Sequence, residues 1–85
     1  MKVRILRLEK AKDSSGNDEI FMMVEANTGD SIYTRAEWLT ADEVIAINSD
    51  DSQKNIIAEE MAERAVLAKA QEITEISQIN INNPN

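Results

Sequence analysis

The chain of 85 residues contains no cysteine and no histidine. Without cysteine, neither a disulfide nor a thiolate metal site can reinforce the fold, and the redox compartment is left open. Without histidine, the commonest general base, the commonest transition-metal ligand and the side chain that titrates near neutral pH are all missing. Any catalysis would fall to carboxylates, Lys, Ser, Thr or the single Tyr33. Glycine occurs twice and proline once, which rules out a Gly-rich phosphate loop; Gly16 and Gly29 each stand where a turn is needed. Long apolar runs are also absent. The opening Met1-Lys2-Val3-Arg4-Ile5-Leu6-Arg7 carries a charge at every second or third position, unlike the apolar run of a signal peptide. No segment approaches the roughly 18 apolar residues of a membrane span. The expected location is therefore cytoplasmic, or a particle assembled in the cytoplasm: host cytoplasm or virion, if the protein is viral.

What the chain does have is acidic charge, −7 net, unevenly placed. Lys2, Arg4, Arg7, Lys10 and Lys12 stand against Glu9 in the first twelve residues, so the remainder is strongly acidic. Such a surface is a poor partner for nucleic acid. The simplest reading lays the basic first strand beside acidic neighbours within the fold; the sharper one has the acidic face imitate DNA phosphates and occupy a basic protein. A chain of this length makes one domain with a small core and a thin stability margin, so support from a partner is expected.

Residues 2–12 read as a strand with Val3 and Ile5 on one face and Leu6 and Leu8 on the other. The phase slip between Ile5 and Leu6 calls for a bulge or for cover on both faces. The turn formers 13–18 close a hairpin. Residues 19–26 form a second strand whose centre is apolar on both faces, with Ile20, Met22 and Val24 alternating against Phe21, Met23 and Glu25. Asn27-Thr28-Gly29-Asp30 turns the chain into a third strand, 31–38, with Ile32, Thr34, Ala36 and Trp38 on one face and Tyr33, Arg35 and Glu37 on the other. At Thr40 a Thr followed three residues later by Glu43 is a reciprocal capping box. A short helix with Val44, Ile45 and Ile47 follows and stops near Asn48-Ser49, and Asp50 or Asp51 caps the next helix.

From Asp51 to Ser77 the chain reads as one helix of about 39 Å, longer than the roughly 30 Å diameter expected of a globule of this length. Its broad face holds Ile57, Ala58, Met61, Ala62, Ala65, Val66, Ala68, Ile73 and Ile76 and suits packing on the sheet. Ile56, Leu67 and Ala70 fall opposite, among Glu60, Glu63, Gln71 and Thr74. Two apolar faces imply two contacts, although the second is too irregular for a coiled coil. Beyond the helix, Ile79 and Ile81 alternate with Asn80 and Asn82 as a strand offered to a sheet edge would. The expected fold class is α+β: a three-stranded antiparallel β-meander followed by a short helix and one long helix. Residues 1–78 form a single α+β domain and residues 79–85 an extended C-terminal tail.

The candidate metal and catalytic groups give way to plainer readings. Asp13, Asn17, Asp18 and Glu19 around Gly16 do not follow the EF-hand spacing and suit a solvated turn; Asp50 and Asp51 suit helix caps. Glu60 and Arg64 are spaced for an i, i+4 pair. Tyr33, Arg35 and Glu37 share a strand face, as polar residues on the outer side of a half-buried strand do. Trp38 reads as a core plug, with an interface anchor as the other reading, and one of Met22 and Met23 faces the uncovered side of the sheet. No cofactor and no catalytic or metal site is expected.

The expected function is that of a non-enzymatic structural or assembly protein acting through protein–protein contacts, in the style of a small virus or phage accessory subunit of a virion or its assembly. It would form a homo-oligomer or join a larger complex, without direct nucleic-acid or membrane contact. The residues expected to meet the partner are Ile56, Leu67, Ile73, Ile76, Ile79 and Ile81, with the acidic Glu59, Glu60 and Glu63. The alternative is an acidic inhibitor of a nucleic-acid-binding protein, of the DNA-imitating type that mobile elements encode.

Overall fold

The hairpin loops set the sheet. After Lys12 the Asp13 carboxylate accepts hydrogen bonds from the backbone N–H groups of Ser15 at 2.8 Å and Asn17 at 2.9 Å, and from the Asn17 side-chain amide at 3.1 Å. Gly16 takes φ +83° there, a conformation that side chains with a Cβ resist. This loop joins β1 (Lys2–Lys12) to β2 (Asp18–Asn27). A second turn, closed by Thr28 N–H to Ser31 C=O at 3.0 Å with Gly29 at φ +96°, leads into β3 (Ile32–Trp38). The strands form an antiparallel meander in the order β1-β2-β3. The computed structural model describes the backbone of residues 1–82 and the side chains of residues 1–71.

The phase slip in β1 is a bulge. Pairing shifts between Ile5, opposite Val24, and Arg7, opposite Met23, so Leu6 is the extra residue. Skipping it returns Leu8 to the face of Val3 and Ile5, rather than leaving it opposite them as uninterrupted alternation from Leu6 implies. All three then pack on the core. The core itself is Ile20, Met22 and Val24 of β2 against Val44 and Ile47 of α1 (Ala41–Ser49) and Ile57, Ala58 and Met61 of α2 (Gln53–Asn82). The second helix crosses all three strands, while the first packs on β2. The class is α+β.

The caps follow the sequence. Thr40 Oγ1 accepts from Glu43 N–H at 3.2 Å, and Glu43 Oε1 accepts from Thr40 N–H at 2.9 Å, completing the capping box. Asp50 works at both helices: its N–H closes α1 on the Ala46 carbonyl at 2.9 Å, and its carboxylate receives the Ser52 N–H and hydroxyl as α2 begins.

Helix α2 buries Ile57, Ala58, Met61, Ala62 and Ala65 against the sheet. Small alanines let its axis come close. From Leu67 to Gln71 every residue is exposed. Five successive positions sample more than a full turn, so no face of the helix is buried here, and Ala68 and Lys69 border an open groove along residues 31–35 at the start of β3 as the helix runs off the end of the sheet. Chain dimensions of 55 × 31 × 17 Å and a radius of gyration of 16.5 Å, against about 12 Å for a compact chain of this length, reflect that projection. The helix also runs on through Asn82. Residues 79–82 are therefore helical, not the extended segment that the alternation of Ile79 and Ile81 suggests. Ile73, Ile76 and Ile79 are also spaced i, i+3, and no helix breaker intervenes before Pro84, so the two periodicities compete and the helical one prevails.

Candidate functional site

Two surfaces stand out, one on each side of the sheet. The first is the side of the sheet away from the helices. The four-residue loop 28–31 pairs Asn27 with Ile32, and this register sets Phe21 opposite Trp38 and Met23 opposite Ala36. Because Ile20, Met22, Val24 and Ala26 point to the helices, their odd-numbered neighbours and their partners in β3 point away. The outer face thus carries Phe21, Met23, Ile32, Ala36 and Trp38. The Phe21 and Trp38 rings meet edge to face, centroids 5.4 Å apart at 65°. The Arg7 guanidinium lies 5.8 Å from the Phe21 centroid. Trp38 is 58% exposed and Ile32 61% exposed. Trp38 is therefore no core plug: strand parity carries it outward.

The polar row of β3 goes inward instead. Tyr33, Arg35 and Glu37 lie on the helix side, half-buried, not on the solvent face where alternation alone puts them. Glu37 receives Arg35 Nε at 3.3 Å and Arg64 Nη2 of α2 at 2.8 Å. At the edge of the sheet the stems of these long side chains run beside the helix while their charged heads still reach water. Arg35 and Glu37 are thus tied into an ion-pair network that fixes the edge strand to α2.

That network also redirects Arg64. The i, i+4 pair with Glu60 is not made, since Arg64 turns to Glu37. Glu59, Glu60 and Glu63 are all exposed, and none forms an ion pair among the described residues. With Ile56, 50% exposed, and Leu67, 59% exposed, they make up the second surface, the solvent side of α2. Ile56 and Leu67 stand three helical turns apart, about 16 Å, in one stripe. The structure brings Ile56, Leu67, Glu59, Glu60 and Glu63 together there. The side chains of Ile73, Ile76, Ile79 and Ile81 lie outside the described residues.

Elsewhere the acidic groups serve the backbone. Hydrogen bonds from Asn17, Ser15 and Gly16 hold the Asp13 carboxyl below the usual aspartate range. Ser52 lowers Asp50, and the Lys54 ammonium, 2.6 Å away, lowers Asp51. Among the described residues no cluster of three or more Asp or Glu side chains has the spacing of a metal site, and no helix is long and apolar enough to cross a membrane. A groove of about 660 Å³ runs beside Trp38 toward α1, lined on one side by Asp13, Asp18 and Glu19 and on the other by Leu39, Val44 and the exposed Ile45.

The outer sheet face is the feature that reading the strands one at a time misses. The apolar row of β3 is visible in the sequence, and so is the doubly apolar centre of β2. Which rows share a face depends on the loop between the strands, and the four residues from Thr28 to Ser31 carry that signal. No protein-family model, no curated protein and no solved structure matches the chain.

Proposed function

We propose that this protein is a non-enzymatic assembly subunit that uses the projecting helix α2 to bind other protein, either further copies of itself or a larger particle such as a virion. The observation that carries this reading is the run Leu67–Gln71, exposed at every helical angle. A helix gains most of its stability in a protein from packing an apolar face. One that continues beyond its own domain, with Leu67 and Ile56 turned outward, offers that packing to a partner. Light scattering across a concentration series tests this on the full chain and on a chain ending at Gln71. The full chain is expected to form the heavier species, and equal association states at every concentration would overturn the proposal.

The acidic inhibitor is a second reading, favoured by one observation. Arg64 is held by Glu37, so nothing described on α2 neutralises Glu59, Glu60 and Glu63. An unneutralised acidic stripe suits a basic protein surface, with binding that weakens steeply as salt rises. Replacing the three glutamates by glutamine is expected to abolish such binding; binding that survives this change unaltered would rule out the stripe.

A further inference from the structure

We propose that the outer face of the sheet is a homodimer interface, on which the same face of a second copy stacks to give a four-layer helix–sheet–sheet–helix arrangement. The inference shares with the function above the premise that this protein acts by protein contact, but it rests on different residues.

The third strand inverts the usual pattern. A sheet covered on one face ordinarily turns apolar residues in and polar residues out. Here β3 does the reverse, presenting Ile32, Ala36 and Trp38 to solvent and Arg35 and Glu37 to the helix. A one-residue shift of register would exchange the two rows. The Glu37–Arg64 bond at 2.8 Å and the Thr28–Ser31 turn both oppose that shift. The apolar row is thus held outward by specific contacts, next to Phe21 and Met23 of β2. Phe21, Met23, Ala36 and Trp38 adjoin one another, with Ile32 set apart beyond the outward Glu25–Thr34 pair. Exposed apolar surface of this kind marks an interaction site, and a pre-packed Phe–Trp pair with an arginine over it has the composition of an interface hot spot.

Charge selects a second copy as the occupant. The chain carries −7 overall, so most pairs of like surfaces repel. On the outer face, Lys2, Arg4 and Arg7 are matched by Glu9, Glu19 and Glu25, with Arg4–Glu25 at 3.3 Å and Arg7–Glu9 at 2.6 Å already paired within the face. This face is neutral. It can approach its own copy without like-charge repulsion, and it has no net sign to attract a charged heterologous partner. The solvent side of α2, by contrast, would set Glu59, Glu60 and Glu63 against themselves.

Size suits a weak, concentration-dependent dimer. Strands of 11, 10 and 7 residues, at about 3.3 Å per residue and about 4.8 Å apart, give a projected footprint of about 440 Å² before side-chain relief is counted. This is a little over half of the roughly 800 Å² of accessible surface per partner in a standard interface. Two sheets stacked about 10 Å apart bury both inner faces. Such a dimer leaves both copies of α2 on the outside, where they remain available to a further partner.

The sole tryptophan reports the event, because Trp38 lies in the interface. Emission and light scattering are measured together on the full chain from about 1 µM to about 500 µM. The mass is expected to double from 9.5 kDa as the emission of Trp38 moves to the blue. Met23→Glu, whose new carboxylate would lie opposite Arg7, and Ile32→Glu at a 61% exposed position are each expected to abolish both changes with circular dichroism unaltered. Leu67→Glu, on the far side of the molecule, is expected to leave both in place. A chain of monomer mass with unshifted emission throughout this range would overturn the proposal. So would a dimer that survives both sheet variants, or one lost on Leu67→Glu; that last result would move self-association to the helix and leave the assembly function standing.

Discussion

Met22 and Met23 are neighbours in the chain and occupy opposite faces of one sheet. Met22 is fully buried against the helices, while Met23 sits half-buried among Phe21, Ala36 and Arg7 on the outside. Both faces are apolar at the centre, but only one is covered by the chain itself. On the inner face burial drives folding; on the outer face the same chemistry is left for a later contact. An apolar residue in this sheet therefore reports a contact without saying whose contact it is.

Truncating each methionine in turn separates the two faces most strongly. Met22→Ala is expected to cost about 3 kcal/mol in urea unfolding, by lost transfer energy and the cavity left behind. Met23→Ala is expected to cost under about 1 kcal/mol at concentrations where the chain is monomeric. Equal losses would mean that the outer face is packed as tightly as the inner one.

The next effect concerns the frame that holds both faces. Thr40→Ala removes the cap of α1 and is expected to cost about 1 kcal/mol, with restoration by Thr40→Ser as the control. Arg64→Met keeps the stem beside β3 but loses the bond to Glu37. Since both side chains remain partly exposed, the expected loss is about 0.5 kcal/mol. A larger loss, accompanied by a change in Trp38 emission from dilute protein, would show that this ion pair sets the register of β3.

The smallest expected effect is that of pH. The folded-state pKa values of Asp13, Asp50 and Asp51 are lowered by hydrogen bonds and, for Asp51, by Lys54. The stability they add is fully present above the unfolded aspartate pKa, about 4, and is lost as pH falls through the lowered folded values. Asp13→Asn is expected to flatten the acid limb of a stability–pH profile without altering neutral pH association. An unchanged acid limb would remove Asp13 from this account.

Much of this architecture was legible in the residues. The capping box at Thr40 and Glu43, the turn formers around Gly16 and Gly29, and the alternation of β2 act over a few positions, where local hydrogen bonding and side-chain period decide the outcome. The apolar stripe of Ile57, Ala58, Met61, Ala62 and Ala65 was legible for the same reason. The candidate surface was legible in part: Ile56, Leu67 and the three glutamates stand exposed on α2 as the helical period requires, but the apolar sheet face depended on how separate strands align. Besides the placing of Trp38 and of the Tyr33, Arg35 and Glu37 row, three readings failed where two local rules competed or a distant partner intervened. Residues 79–82 fit both a strand and a helix, and helix continuation won. Leu8 changed faces because Leu6 was bulged out. Arg64 left Glu60 for Glu37, which a helical wheel does not contain.

The order of elements, their caps and turns, the acidic character of the chain and a helix longer than its domain can cover are all written in the residues. Those properties follow from neighbouring residues and from composition. That Trp38 faces outward and Glu37 inward is settled by packing between distant elements. Side-chain period within a strand defines two rows but not which row meets the core; the four-residue turn and the Arg64 contact make that choice, through a register that couples residues far apart in the chain.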